Sequence, residues 1–214
     1  WNAINLAWDA VWRFGWMPRA FVDDWVRVAE EEASHFAMLR RRLQQLGSDY
    51  GRLPAHAGLW EAAEATRHDL LARMALVPRV LEARGLDVTP GLAARLRALG
   101  DEETAAILDV VLREEVGHVR IGSHWFHHAC RERGLEPAAA FEQAVRTHFR
   151  GRTKGLADPA ARLVNNDGKA ALLRELETLV ELAGPAGPTW VGEPPHGPLD
   201  GALPTLSGVD AAAP

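Results

Sequence analysis

Two short segments carry the groups that can do chemistry in this chain: Glu32-Ala33-Ser34-His35 and Glu115-Val116-Gly117-His118. Residues three apart on an α-helix project from one face, so each segment can aim a carboxylate and an imidazole at one point. Carboxylate oxygen and imidazole nitrogen suit iron and manganese better than soft Cu(I). If the two helices face each other, Glu32, His35, Glu115 and His118 converge on one space. Two divalent ions bridged by carboxylates would neutralise such a site.

The helices that carry the segments must turn them inward. A helix expected over 18–46 has the stripe Trp25, Val28, Glu32, His35, Leu39 and Leu43, with Arg27, Glu31, Arg40, Arg41 and Arg42 outside. A helix expected over 101–133 has the stripe Leu108, Val111, Glu115, His118, Gly122 and Trp125. Its acidic start, Asp101 to Glu103, complements the positive end of the helix dipole. In both helices the Glu and the His fall on the apolar side, where a carboxylate is costly unless it is paired or holds a metal. The longer stretches Glu31-Glu32-Ala33-Ser34-His35 and Glu114-Glu115-Val116-Gly117-His118 lie 83 residues apart and suggest pseudo-twofold halves, each a helical hairpin.

A complete site needs a carboxylate from each of two further helices. The helix expected over 59–84 runs Trp60, Ala63, Arg67, Leu71, Met74, Pro78 and Glu82 along one stripe, with a bend at Pro78. Glu82 stands 33 residues before Glu115, which suits an antiparallel hairpin; Glu64 and Glu61, at 51 and 54 residues, sit toward the other end. The helix expected over 1–14 has the stripe Trp1, Ile4, Trp8 and Val11. The matching offset before Glu32 falls ahead of Trp1, so that ligand is expected to precede the sequence given. Asp9, the one acid on this segment, is the alternative, as a partner orienting a ligand histidine.

The remaining groups read more plainly. His124, His127 and His128 lie past the site with no acid at ligand spacing, and His68 and Asp69 read as structural. At least one of Glu30 and Glu31 is expected to face water, and the eight tryptophans read as core. Arg150, Arg152 and Lys154 are a solvated loop or an anion site. Gly85 and Asp87 to Gly91 are expected to break the chain before a short helix over 91–99. Three regions follow: a bundle over 1–133, a helical extension packed on it over 134–183, with helices at 137–147 and 158–182, and an irregular Pro/Gly-rich tail over 184–214.

Composition narrows the function. A net charge of -5 gives no drive toward nucleic acid or anionic membrane. One cysteine, Cys130, excludes an intrachain disulfide framework and fits a cytoplasmic protein. No apolar run reaches membrane-spanning length.

The stretch over 1–155 resembles a family of uncharacterised bacterial proteins with a ferritin-like fold. The matching pieces are Ala3-Ile4, Asp9, Arg13-Phe14, the run from Glu31 to Phe36, Gly58 to Glu61, Leu81 to Pro90, Glu114 to Val119 and Arg152 to Gly155. In that family a His-x-Glu precedes the Ala-Ile, which puts the missing ligand just before Trp1. More distantly the pattern is similar to the di-iron tRNA hydroxylases, which also carry Glu-Ala-Arg on the third helix, here Glu82-Ala83-Arg84. The resemblance implies Glu82 as a ligand.

The expectation is therefore an all-α, ferritin-like four-helix bundle. Glu32, His35, Glu82, Glu115 and His118 would hold two iron ions, with manganese the alternative. The activity expected is an O2-dependent oxidoreductase acting on a small-molecule substrate, with an unidentified electron donor and a homodimer allowed. The alternatives are a tRNA-modifying hydroxylase, a ferroxidase-type metal binder, and a bundle that has lost activity.

Overall fold

A computed structural model describes residues 1–149, and every regular element among them is a helix, as expected. The described residues belong to one compact unit, Trp1–Gly155. The expectations for 158–182, for the tail over 184–214 and for Arg150, Arg152, Lys154 and Trp190 lie outside the described residues. Among the described residues, no helix is long and apolar enough to cross a membrane.

Helix α1 (Asn2–Arg13) packs on α2 (Arg19–Gln45). The face that α1 buries is Leu6, Ala7 and Ala10, with Phe14 just beyond, rather than the Trp stripe. Small alanines let the two helices approach closely, and the indoles are turned out: Trp1, Trp8, Trp12 and Trp16 are 56%, 49%, 76% and 71% exposed. The expectation that the tryptophans are core holds for Trp25 and Trp125 and fails for these four. Helix α2 buries Phe21, Trp25, Val28, Ala29, Glu32 and His35 along one helical stripe. Beyond His35 the stripe fades, and Leu43 is exposed.

The third expected helix is interrupted. Helix α3 (Gly58–Ala65) stops at Thr66, and α4 (Leu70–Leu76) restarts with Asp69 as its cap, accepting from Leu71 N at 2.9 Å. A buried arginine accounts for the break. Arg73 donates to Thr66 Oγ1 at 2.9 Å, to the Ala63 carbonyl at 2.7 Å and to Asp9 at 2.7 Å. Ending α3 releases the carbonyl this guanidinium needs, and a buried charge requires such partners.

After α4 the chain forms a π-helical segment, Val77–Glu82, with Pro78 at its start, and then α5 (Ala83–Ala98). The bend expected at Pro78 takes this form. The break expected over 85–91 is absent, because α5 runs through Pro90. The carbonyl that Pro90 leaves unbonded belongs to half-exposed Leu86, where water can serve it. Gly100, at φ 82°, closes α5 in the left-handed region, and Asp101 caps α6 (Glu102–Glu132). Helix α7 (Pro137–His148) packs on α4 and α6.

The pairing of α2 with α6 sets the site. Arg42 near the end of α2 reaches Asp101 at 2.9 Å and Glu103 at 2.8 Å at the start of α6. Toward the other end, Trp125 Nε1 donates to Asp24 Oδ2 at 2.9 Å. The two helices are therefore antiparallel, with Glu32 and His35 opposite Glu115 and His118.

Candidate metal centre

The two Glu-x-x-His segments meet. Glu32, His35 and Glu115 each offer a ligand atom, all within 4.8 Å of one another. His118 joins them: its Nδ1 lies 3.2 Å from Glu32 Oε1 and 3.4 Å from Glu115 Oε2. His35 Nδ1 lies 3.6 Å from Glu32 Oε2. Glu32 thus stands between the two histidines with one oxygen toward each. The imidazole rings are 5.9 Å apart, centre to centre.

Glu82 comes from the π segment, which two contacts seat against α6. A Cβ built on Gly122 would lie 2.2 Å from Pro78 Cγ, so only glycine lets the proline approach this far. Arg79, next along the segment, lies over the Phe126 ring at 4.4 Å and the Phe141 ring at 4.6 Å. Glu82 as a residue is half-buried, but its Oε2 is fully enclosed. Burial, and the like charges of Glu115 and Glu32, push its carboxyl up to about 8.

Five buried ligand-type atoms have no hydrogen-bond partner: Glu32 Oε1, His35 Nδ1, Glu82 Oε2, Glu115 Oε2 and His118 Nδ1. Each of the five expected ligands contributes one. Buried polar atoms in folded proteins are nearly always satisfied, so an unpartnered atom on each of these five residues fits a site that takes a cation. The electrostatics agree. Burial alone would pull His118 down, but the carboxylates of Glu115 and Glu32 beside it drive it up to about 11. His35 moves the same way: burial pulls it down, and Glu32 and Glu114 more than offset this. Burial would raise Glu32, yet the two histidines bring it below the usual carboxylate range. Carboxylates outnumber histidines at the centre, and they hold both imidazoles toward their protonated form.

Two expectations need correction. Glu31 is not on the solvated outer face of α2: it is half-buried and accepts from His118 Nε2 at 2.8 Å. Its counterpart Glu114, which the sequence reading gave no role, accepts from His35 Nε2 at 2.6 Å. The doubled Glu-Glu of both segments was the available signal for these two. Asp9 does not orient a histidine: it holds Arg13 at 2.6 Å and Arg73 at 2.7 Å. Among the described residues α1 brings no carboxylate to the cluster.

The remaining expectations keep their places. The rings of His124 and His128 flank Trp125, with centres 4.8 Å and 5.3 Å away, and His127 is exposed beside Phe126. Glu61 is exposed and Glu64 pairs with arginines, so neither joins the cluster.

The described residues define an all-α protein with a carboxylate and histidine cluster suited to a metal ion. The chain belongs to the family described as "Protein of unknown function (DUF455)", whose model matches residues 1–166. It is 48% identical over 169 residues to an uncharacterized protein of Haemophilus influenzae. That match takes in 76% of this chain and 59% of the relative, so the chain spans about three-fifths of the relative's length. No solved structure matches the chain.

Proposed function

We propose that this chain is a carboxylate-bridged dinuclear metal protein of ferritin-like bundle type. Glu32, His35, Glu82, Glu115 and His118 hold two iron ions, with manganese the alternative. The activity proposed is an O2-dependent oxidoreductase of the cytoplasm, acting on a small-molecule substrate with electrons from a separate donor.

The observation that carries this reading is the set of five enclosed, unpartnered ligand atoms, one from each residue. Glu32 supports two ions over one, because its oxygens face different histidines, at 3.2 Å and 3.6 Å. Charge supports it as well: three carboxylates from Glu32, Glu82 and Glu115 nearly balance two divalent ions. Oxygen and nitrogen donors of this kind favour iron or manganese. When bound, the metal pair supplies the redox chemistry and the reduction of dioxygen. The chain's own residues supply the rest. Glu32 spans the two histidines, and Glu82 brings a third carboxylate from the π segment, with its Oε2 enclosed.

Metal analysis of protein produced in iron-replete medium tests the proposal. About two ions per chain are expected. Glu115→Ala and His118→Ala should each abolish this content, whereas His127→Ala should leave it intact. Full metal content in the first two variants, or wild-type protein that cannot be loaded, would sink the reading.

A further inference from the structure

Each histidine of the cluster is held by a glutamate from the other helix. His118 on α6 donates through Nε2 to Glu31 on α2 at 2.8 Å, and His35 on α2 donates through Nε2 to Glu114 on α6 at 2.6 Å. A local partner was available to both. Glu31 is four residues before His35, and Glu114 is four before His118, the spacing at which side chains on one helix meet. The fold exchanges these partners instead.

We propose that Glu31 and Glu114 are positioning residues in a reciprocal lock between α2 and α6, each orienting the imidazole of the opposite helix so that its Nδ1 enters the carboxylate cluster. The proposal deepens the dinuclear reading and rests on it only for what the two Nδ1 atoms bind.

A carboxylate only accepts, so the Nε2 atom facing it must carry the proton. Nδ1 then becomes the ligand nitrogen, and it is Nδ1 in both histidines that faces Glu32 or Glu115. The ring torsion of a histidine has a broad, shallow profile, so packing alone fixes it weakly. A charged hydrogen bond on the far side fixes it firmly and makes the ring a stronger donor to a metal. The lock also explains why each segment reads Glu-Glu-x-x-His and not Glu-x-x-His alone. The second glutamate of each serves the cluster, and the first serves the other helix. Neither helix is complete without its partner in register.

That register is consistent along the pair. A step of seven residues along α2, from Asp24 to Glu31, is matched by seven back along α6, from Trp125 to His118. A further step of four, from Glu31 to His35, is matched by four from His118 to Glu114. A slip of one residue would break the Trp125 bond and both histidine bonds together.

The test is a crossed pair of variants, Glu31→Ala and Glu114→Ala, with Glu31→Gln and Glu114→Gln keeping an acceptor oxygen. Imidazole resonances of the metal-free full chain are assigned with His35→Gln and His118→Gln and followed by NMR. Glu31→Ala is expected to shift the His118 ring signals far more than those of His35. Glu114→Ala is expected to do the opposite, and the Gln variants should restore most of each shift. Titration with cobalt(II) should show each Ala variant binding about 10–100-fold more weakly, with the Gln variants in between. If an Ala variant does not fold, the smaller crossed shifts of the Gln variants decide the matter. Shifts that fall mainly on the histidine of the same helix would overturn the lock. Crossed shifts in a protein that never binds cobalt would keep the lock and defeat the dinuclear reading. Cobalt binding with uncrossed shifts would do the reverse.

Discussion

Asp69 closes the first turn of α4 and also accepts from Arg133 at the end of α6, at 2.7 Å. Burial pushes its carboxyl up, but Arg133 and the amides of Leu71 and Ala72 outweigh this, and the group lies below its usual value. A folded-state pKa below the unfolded one stabilises the fold fully above the ordinary carboxylate range, and the contribution is lost as pH falls through the folded value. Asp69→Ala is therefore expected to cost about 1 kcal/mol in urea unfolding at pH 7. The gap to wild type should shrink as the solution is acidified below about pH 4. A gap that persists in acid would mean that Asp69 acts through packing and not through charge. Asp69 read as structural in the sequence but not as a cap, because the helix expected over 59–84 ran through it. The burial of Arg73 could not. Its partners Asp9, Ala63 and Thr66 come from three separate stretches, and only the finished fold brings them together.

At the scale of the element, the π segment is what delivers Glu82. Its seat is the contact of Pro78 with Gly122, where an added Cβ would meet Pro78 Cγ at 2.2 Å and Cβ at 2.3 Å. A proline ring has no flexible end to move aside. Gly122→Ala is expected to push the segment off α6 and to lower stability by about 1–3 kcal/mol. It should also weaken cobalt(II) binding although no ligand is altered. Unchanged affinity in a destabilised variant would show that Glu82 does not depend on this contact. The sequence placed Glu82 by hairpin spacing and placed both Glu-x-x-His pairs by helical period, since both signals are short-range. It did not reveal the π segment: one extra residue in a turn shifts the phase of a stripe by about 100°, but the six residues Val77–Glu82 are too few to tell such a shift from an ordinary gap in the pattern. Glu31 and Glu114 were hidden for a different reason. Their partners lie 87 and 79 residues away, and only the register of α2 on α6 pairs them.

For the molecule as a whole, five enclosed ligand atoms without partners make the stability of the fold depend on what fills the centre. A ligand that binds only the folded chain adds stability that grows with its concentration, about 4 kcal/mol at a thousand times the dissociation constant. Metal addition is expected to raise the midpoint of thermal unfolding in wild type and to leave Glu115→Ala unchanged; an equal rise in both would place the binding elsewhere. The helical class and the inward faces of α2 and α6 were legible because apolar periodicity is strong in long helices. The face of α1 was misread because its largest side chains point outward and its alanines pack inward. That inversion has an optical consequence. Indole emission responds to the solvent around the ring, and Trp1, Trp8, Trp12 and Trp16 already stand at least 49% exposed in the folded chain, against 2% for Trp25 and 3% for Trp125. Much of the fluorescence therefore comes from rings whose surroundings hardly change on unfolding, and melting of this chain is better followed by ellipticity than by tryptophan emission.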